Sequence, residues 1–315
     1  MLPKILITGA SGCVGSYLID VFAPDYELYL LVRNPEKLRF KPEERQNIHI
    51  IHGDMDTIIR KTDILAQMDY CIHAATAWGG EGTARINVQR VHELFNSLNP
   101  GRLRRIIYFS TASILGRDNQ VLPEAGQFGT DYIKSKFQCY THLSECRAFD
   151  KIITVFPTLV FGGDERHPFS NLTLALPKLR QYSWLIGRLK LDIAFHYIHA
   201  ADIAAMVKYF LEMENPEKNY VLGNEAIPFG DFARQTAEYF GHQIGWQISL
   251  GPKALYRLAV LCGAEMSEWD RFLLQYLHFV YHTVNCRELS LYSAYNTLER
   301  ILADWEKVIY ASPKA

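Results

Sequence analysis

Residues 5–15 read Ile-Leu-Ile-Thr-Gly-Ala-Ser-Gly-Cys-Val-Gly, and a helical apolar pattern over 17–22 follows them. Strand, glycine turn and helix stand in the order that a dinucleotide-binding site requires. Gly9 allows the tight turn, Gly12 the close approach of a pyrophosphate, and Gly15 the packing of helix on strand. The helix N-terminus adds partial positive charge beside that pyrophosphate. This segment therefore predicts a dinucleotide-binding turn.

A second signal lies more than a hundred residues further on, where Tyr132 and Lys136 are four positions apart. This spacing puts a phenol and an ammonium on one face of a helix. Because a free tyrosine has a pKa of about 10, some group must favour its phenolate at neutral pH, and we expect Lys136 to do so. Tyr132 would then exchange a proton with a substrate hydroxyl or carbonyl. Such a pair can also decorate an ordinary helix surface, but its register with the glycine turn favours the catalytic interpretation.

Composition and charge exclude several classes of protein. The chain of 315 residues has a net charge of −1 and no basic block, which is not typical of a nucleic-acid-binding protein. The first residues show no signal-peptide pattern, and no apolar run reaches the roughly 18 residues of a membrane span. We therefore expect a cytoplasmic protein with no nucleic-acid or membrane partner.

Cysteine and histidine spacing gives no metal-binding pattern. The six cysteines form no C-x-x-C pair, and the eleven histidines form no H-E-x-x-H pattern. The cysteines are Cys13, Cys71, Cys139, Cys146, Cys262 and Cys286. We expect reduced structural thiols and no metal site.

Candidate strands alternate with segments long enough for crossover helices. The strands are residues 4–8, 28–32, 48–51, 70–74, 104–109, 152–156 and 219–222. This alternation predicts an α/β protein with a Rossmann-type doubly wound parallel sheet. Residues 1–160 form the predicted NAD(P)-binding domain, to which 196–222 return. Residues 161–195 and 223–315 are predicted to form a smaller, mostly helical C-terminal substrate lobe.

Together the motifs carry a family resemblance. The Thr-Gly-Ala-x-Gly-x-x-Gly motif at 8–15 and the Tyr-x-x-x-Lys pair at 132–136 resemble the extended short-chain dehydrogenase/reductase superfamily, in its NAD(P)-dependent epimerase/dehydratase family. Residues 109–116 resemble the fifth strand of that family with its catalytic Ser/Thr. Residues 156–162 resemble its Arg-Pro-x-x-Val-Tyr-Gly turn, and 197–204 its Val-His-Val-x-Asp-x-Ala segment. The resemblance covers nearly the whole chain.

The resemblance implies a set of site residues. The catalytic ones are Thr111, Tyr132 and Lys136. The implied cofactor-binding residues, together with Arg33 from its charge, are Thr8, Gly9, Ser11, Gly12, Cys13, Val14, Gly15, Arg33, Asp54, Met55, His73, Ala74, Ala75, Asn87, Tyr132, Lys136 and Pro157. Asn87 can also be an ordinary helix cap. The sequence departs from the family just after it, where Arg90-Val91 stands in place of the usual Gly-Thr.

Two adjacent hydroxyls compete for the third catalytic position. The Ser/Thr-x-x-x-x-Gly spacing of the family, counted back from Gly116, selects Thr111. Its hydroxyl can donate to the substrate oxygen and accept from Tyr132, which orients the reacting group. A structural threonine at a strand end is the alternative interpretation, and Ser110 is the second choice for the role.

The end of the second strand bears on the choice of cofactor. An NAD enzyme usually has Asp or Glu about 20 residues beyond the glycines, whereas Arg suits a 2′-phosphate. The chain reads Leu-Val-Arg-Asn-Pro over 31–35, and a guanidinium binds phosphate in a fork and stacks on adenine. Arg33 therefore predicts NADP, although Glu36 lies near enough to keep NAD possible.

The sequence leaves three functions open. The leading one is an NADP(H)-dependent oxidoreductase that acts on a secondary alcohol or carbonyl, with a nucleotide sugar as the commonest substrate class of the family. The second is a reductase of an apolar aromatic or steroid-like ketone, and the third is a non-catalytic NADP(H)-binding interaction protein. Candidate diphosphate ligands are Arg166, Arg180, Arg188 and Lys190. Phe156 stands where the family usually has arginine, and the lobe is rich in aromatic residues that are core or line a pocket.

The resemblance also implies an oligomeric state. Members of the family commonly pair through the helices after the fourth and fifth strands, here near 85–98 and 131–148. We therefore expect an isologous homodimer.

Overall fold

The computed structural model describes residues 2–40, 45–261 and 265–311. Seven parallel strands form its central sheet. They are β1 Lys4–Thr8, β2 Glu27–Val32, β3 Ile48–His52, β4 Tyr70–His73, β5 Arg105–Phe109, β6 Ile152–Pro157 and β11 Asn219–Leu222. Their order is β11-β6-β5-β4-β1-β2-β3. All seven predicted strands are confirmed, with ends that differ by no more than one residue.

Helices cover both faces of this sheet, as the sequence predicts. α1 Cys13–Phe22 and α8 Ala200–Glu212 pack on one face. α2 Met55–Ile58, α3 Thr62–Leu65, α4 Arg90–Ser97 and part of α6 Asp131–Thr141 pack on the other. Within β1, Ile5 and Ile7 face the first layer and Leu6 the second, and all three are fully buried. Each such side chain stabilises the fold by about 1.5–3 kcal/mol.

The remaining elements follow β6 or lie between α4 and α6. The short strands pair as β7 Leu159–Phe161 with β10 Tyr197–His199, β8 Leu189–Leu191 with β13 Ile248–Leu250, and β9 Ala194–Phe195 with β12 Ile227–Pro228. The remaining helices are α5 Pro123–Phe128, α7 Asn171–Ile186, α9 Phe229–Tyr239, α10 Pro252–Leu261, α11 Glu268–Tyr276 and α12 Leu298–Ala311. α7, α9 and α12 share an apolar cluster that includes Leu176, Phe232 and Trp305.

The chain returns to the central sheet after α7 and before α9. β11 pairs with β6 at the edge of the sheet, and α8 packs on α1. The domain boundaries at 1–160, 161–195 and 223–315 stay a prediction.

The described cysteines are free thiols, and four of the five are buried. Cys262 lies outside the described residues. Within the described ranges, no three His, Cys, Asp or Glu side chains come together in a way that could hold a metal ion. In the same part of the chain, no helix is long and apolar enough to cross a membrane.

Candidate active site

The glycine turn joins β1 to α1 and leaves no room for side chains at two positions. Gly9 has a φ of +77°, and a Cβ there would lie 2.6 Å from the Ala75 nitrogen. A Cβ on Gly15 would lie 2.1 Å from the Gly9 carbonyl oxygen. The Gly12 amide donates to that same oxygen at 3.0 Å. The turn is therefore pressed against α1 on one side and against the end of β4 on the other.

The N-terminus of α1 can bind an anion. Gly12 is the N-cap, no side chain of the described residues caps the helix, and its first turn holds no acidic residue. The first amides of a helix have no intrahelical acceptor, so those of Cys13 and Val14 are suited to a phosphate. Burial, together with a smaller contribution from the Asp164 charge, raises the pKa of the Cys13 thiol to about 12. The thiol stays neutral, and this cradle fits the pyrophosphate of a dinucleotide.

Basic and hydroxyl side chains lie beside this turn. Arg33, at the end of β2, is exposed, and its guanidinium has no partner among the described residues. Ser11 and Lys37 line a small open crevice beside the glycine turn. Arg39 also lines this crevice but donates to the backbone carbonyls of 164, 165 and 167. Arg33 and Lys37 are thus the side chains with charge available for a ligand.

Other predicted cofactor-binding residues lie at or just after the ends of β3 and β4. Asp54 caps α2, because one carboxylate oxygen accepts from two amides of that helix at 3.0 Å. Met55 is buried. His73 Nδ1 lies 2.8 Å from the Thr8 hydroxyl oxygen, and that oxygen accepts from the Ala75 amide at 3.3 Å. Burial lowers the pKa of His73 to about 3, and the charge of Lys136 contributes.

Two further predicted cofactor-binding residues, Ala74 and Pro157, lie at the ends of strands of the central sheet. The Ala74 amide donates to the Thr8 carbonyl at 3.2 Å, which continues the β1–β4 pairing. Pro157 ends β6 and is half-buried, opposite Leu222.

The three predicted catalytic residues come together on α6 and the end of β5. The Thr111 hydroxyl lies beside the Tyr132 phenol and lowers its pKa. The Lys136 ammonium is buried and donates to the Phe109 carbonyl at 2.7 Å. Burial lowers the pKa of Lys136 to about 8. Thr111 also exchanges hydrogen bonds with the hydroxyl and amide of Ser113, each at 3.3 Å.

Burial also acts on the phenol of this group, and the influence of Lys136 on that phenol stays a prediction. Burial raises the pKa of Tyr132 to about 12, and the Thr111 hydrogen bond only partly offsets it. In this state Tyr132 is a neutral phenol at pH 7. The Ser110 hydroxyl is buried and has no partner among the described residues.

Asn87 is buried and clamps the loop that follows β4. Its Nδ2 donates to the Ala77 carbonyl and its Oδ1 accepts from the Ala77 amide, both at 2.8 Å. Nδ2 also donates to the Ser135 hydroxyl on α6 at 2.9 Å. Asn87 thus ties the loop to the helix that carries Tyr132 and Lys136.

The sequence analysis missed one aromatic residue at this site. The indole of Trp78 stacks on the Tyr132 ring, with centroids 4.6 Å apart and planes at 30°. The available signal was a tryptophan within the glycine-rich run 78–82, directly after a predicted strand.

The basic residues considered for a diphosphate lie beside α1, on or just after α7, and on β8. Arg166 lies 4.0 Å from Asp20 on α1, whereas Arg180 lies 3.5 Å from Glu306 on α12. Arg188 donates to a carbonyl at the end of α7, and Lys190 is exposed on β8. Aromatic residues instead pack near Tyr132. Those in its apolar cluster are Phe156, Trp269, Phe272, Tyr276, Phe279 and Tyr281.

The two helices predicted to form a dimer have polar outer faces. The exposed residues of the observed α4 and α6, with the turn before α4, are Arg85, Gln89, Glu93, Asp131, Lys134, Gln138 and Thr141. Arg90, the departure from the family pattern, binds Asp56 on α2. Its charge therefore joins two helices of one chain.

These features define a dinucleotide-binding α/β protein with a tyrosine and a lysine at the carboxyl end of its sheet. The family model described as NAD dependent epimerase/dehydratase family matches residues 5–223. The chain belongs to this family of enzymes, so the resemblance found in the sequence is confirmed.

Solved structures support the same fold at low sequence identity. The UDP-N-acetylglucosamine 4-epimerase of Methanobrevibacter ruminantium M1, in complex with UDP-N-acetylmuramic acid, has a TM-score of 0.68 at 16% identity, over 99% of each chain. The Bordetella bronchiseptica enzyme WbmG, in complex with NAD, has a TM-score of 0.61 at 17% identity, over 90% of this chain and 98% of that one. The dTDP-glucose 4,6-dehydratase of Bacillus anthracis, in complex with NAD, has a TM-score of 0.65 at 13% identity, over 97% of each chain. A comparison with curated proteins gave no match.

Proposed function

We propose that the protein is an NADP(H)-dependent oxidoreductase that interconverts a secondary alcohol and a carbonyl. The observation that carries this proposal is the placement of Thr111 beside the Tyr132 phenol, whose pKa it lowers, one helical turn from the buried ammonium of Lys136. A bound nicotinamide supplies or accepts the hydride. A protein that only bound the cofactor would have no need of this proton relay, so the third function left open by the sequence has the least support.

The phenol of Tyr132 is suited to donate a proton. Because its pKa is about 12, it is protonated across the neutral range. In the reducing direction the carbonyl oxygen takes the phenol proton as the carbonyl carbon becomes C–H. Thr111 holds that oxygen in line with Tyr132. Lys136 places positive charge at the inner end of the site, where the family resemblance puts a ribose.

The charge near the second strand supports NADP over NAD. Arg33 is exposed and unpaired within the described residues, and Lys37 lines the neighbouring crevice. A guanidinium and an ammonium suit a 2′-phosphate. Structural relatives were solved in complex with NAD, so NAD is the second candidate.

Two substrate classes have support. Nucleotide sugars are supported by the structural relatives, which include a UDP-N-acetylglucosamine 4-epimerase and a dTDP-glucose 4,6-dehydratase. A reductase of an apolar aromatic or steroid-like ketone is supported by the aromatic cluster around Tyr132. Phe156, which stands where the family usually has arginine, is a core residue packed against Tyr140 with ring centroids 5.0 Å apart.

The experiment that tests this proposal follows NADPH oxidation in the presence of ketones from both classes, with wild type and Tyr132→Phe. Turnover that requires NADPH and is lost in the variant is expected. Tight NADPH binding without turnover of any ketone would favour the binding-protein alternative. Full turnover by Tyr132→Phe would assign the proton to another group.

The homodimer and the cytoplasmic location stay predictions. The homodimer would use the outer faces of α4 and α6, whose polar residues call for a hydrogen-bonded interface rather than an apolar one. Light scattering at micromolar protein should return twice the mass of 36.2 kDa. A mass of one chain would reject the dimer.

A further inference from the structure

The loop from Thr76 to Thr83 brings a large apolar side chain to the predicted proton donor. Trp78 stacks on the Tyr132 ring, yet 66% of its surface is exposed. One part of the indole is therefore fixed against the phenol while the rest faces the open side of the site. An exposed tryptophan held in one place adds little to the fold, because most of its apolar surface stays in contact with water.

Hydrogen bonds on both sides of Trp78 hold the loop in this position. On one side, Asn87 binds both backbone groups of Ala77. On the other side, the Gly80 amide donates to the Asp131 carboxylate at 3.3 Å, and the Gly80 carbonyl accepts from the Thr83 hydroxyl at 2.7 Å. Asp131 lies directly before Tyr132 on α6, so this hydrogen bond ties the loop to the helix that carries Tyr132.

The backbone of the loop also requires glycine. Gly80 and Gly82 have φ values of +88° and +87°, which other residues adopt only with strain. Open space surrounds both positions, so conformation rather than packing calls for glycine there. The loop is built to present Trp78 in a set orientation.

We propose that Trp78 is a specificity-determining residue, whose indole forms one wall of the substrate subsite and selects substrates with a ring at or next to the reacting carbon. This inference rests on the proposed function. An oxygen that reaches the Tyr132 phenol lies beside the indole, so the group attached to the reacting carbon meets the free part of that ring. Flat apolar rings stack favourably on an indole.

The charges around the loop decide which part of a substrate lies there. Glu81 and Asp131 are both exposed beside Trp78. Two carboxylates repel a phosphate group. The ring of the substrate, whether a pyranose or an aryl group, therefore lies against Trp78, and any anionic part lies elsewhere.

The test measures ligand affinity, which needs no turnover. Wild type, Trp78→Phe and Trp78→Ala are saturated with NADP⁺, and binding is followed by ligand-observed NMR. The probes are propiophenone, UDP-glucose and the acyclic hexan-2-one. Trp246→Ala is the matched control, because Trp246 is 60% exposed and lies by Arg188, outside the site.

Wild type should bind at least one ring probe, and the probe that it binds identifies the source of the ring. Trp78→Ala should bind that probe about tenfold more weakly, the scale of a lost aromatic stack, and should bind hexan-2-one as wild type does. Trp78→Phe and Trp246→Ala should stay close to wild type.

Three results would overturn the proposal: no binding of either ring probe by wild type, undiminished ring binding by Trp78→Ala, or an equal loss for ring and acyclic probes. Failure of the proposed function would appear elsewhere, as unchanged turnover in Tyr132→Phe.

Discussion

The two ends of the candidate site are built in opposite ways. At the cofactor end, the glycine turn and Arg33 leave amides and a guanidinium without partners among the described residues. At the reaction end, Tyr132 and Lys136 are withdrawn from water, and both have polar partners. Open charge suits a ligand that brings its own phosphates, whereas burial suits groups whose pKa values must be set before the substrate arrives.

The largest expected effect is a loss of turnover when the reaction end alone is changed. Tyr132→Phe removes one hydroxyl and little volume, so turnover should fall by about 10²–10⁴-fold while NADPH affinity is unchanged. Steady-state kinetics and a fluorescence titration measure the two quantities. Tyr140→Phe, on the same helix, is the control and should keep its activity. A matching loss of NADPH affinity in Tyr132→Phe would show that the ends are not separable.

The second prediction changes the cofactor end. Arg33→Ala should weaken NADPH binding by about tenfold or more, because a charge-assisted hydrogen bond contributes about 1.5–3 kcal/mol, and NADH binding should hardly change. The control is Arg60→Ala, which removes another exposed arginine. Dissociation constants for both nucleotides decide the matter, and an equal loss for NADPH and NADH would remove Arg33 from phosphate recognition.

The third prediction concerns Lys136, which is expected both to bind the cofactor and to act beside Tyr132. Burial lowers the pKa of Lys136 to about 8, so its ammonium is charged below that pH and neutral above it. NADPH affinity should therefore fall by a small factor as the pH rises from 7 to 9. Lys136→Met should bind NADPH weakly at both pH values, with the wild-type pH dependence removed. A variant that keeps the dependence would assign it to a different group.

The smallest effect on activity is expected at a buried carboxylate outside both ends. Burial raises the pKa of Asp202 to about 6, although a hydrogen bond from Ser293 opposes the shift. The fold therefore loses stability as the pH rises through about 6. Asp202→Asn keeps a hydrogen-bond acceptor without the charge, so it should raise the free energy of unfolding at pH 7.5 by about 1–3 kcal/mol.

Thermal unfolding at two pH values checks this last prediction. Asp202→Asn should match wild type at pH 4.5, where the carboxyl is protonated, and turnover should be unchanged. Destabilisation at pH 7.5 would mean that the charged form of Asp202 is needed by the fold.

The parts of the structure that the sequence predicts are those set by local pattern. The apolar runs predict the seven strands, and the glycines at 9, 12 and 15 predict the turn that joins β1 to α1. The proximity of Thr111 and Tyr132 was predicted from the spacing that the family resemblance supplies, since the two residues lie on different elements.

Contacts between distant segments were not predictable in this way. The hydrogen bond from Lys136 to the Phe109 carbonyl joins α6 to the end of β5, and nothing in residues 132–136 indicates it. Asn87 reads as a helix cap, because its partner Ala77 lies ten residues earlier in an irregular loop. From the sequence, Trp78 is an ordinary loop residue, because its contact with Tyr132 on α6 forms only in the folded structure.

The most direct test of the account follows the hydrogen that the reaction must transfer. NADPH deuterated at the reactive carbon of its nicotinamide is incubated with propiophenone, hexan-2-one and UDP-4-ketoglucose, and the products are examined by NMR. The account predicts deuterium on the carbon that bears the new hydroxyl group in at least one product of wild type, and none from Tyr132→Phe over the same time. NADPH bound by wild type with no deuterium in any product would contradict it.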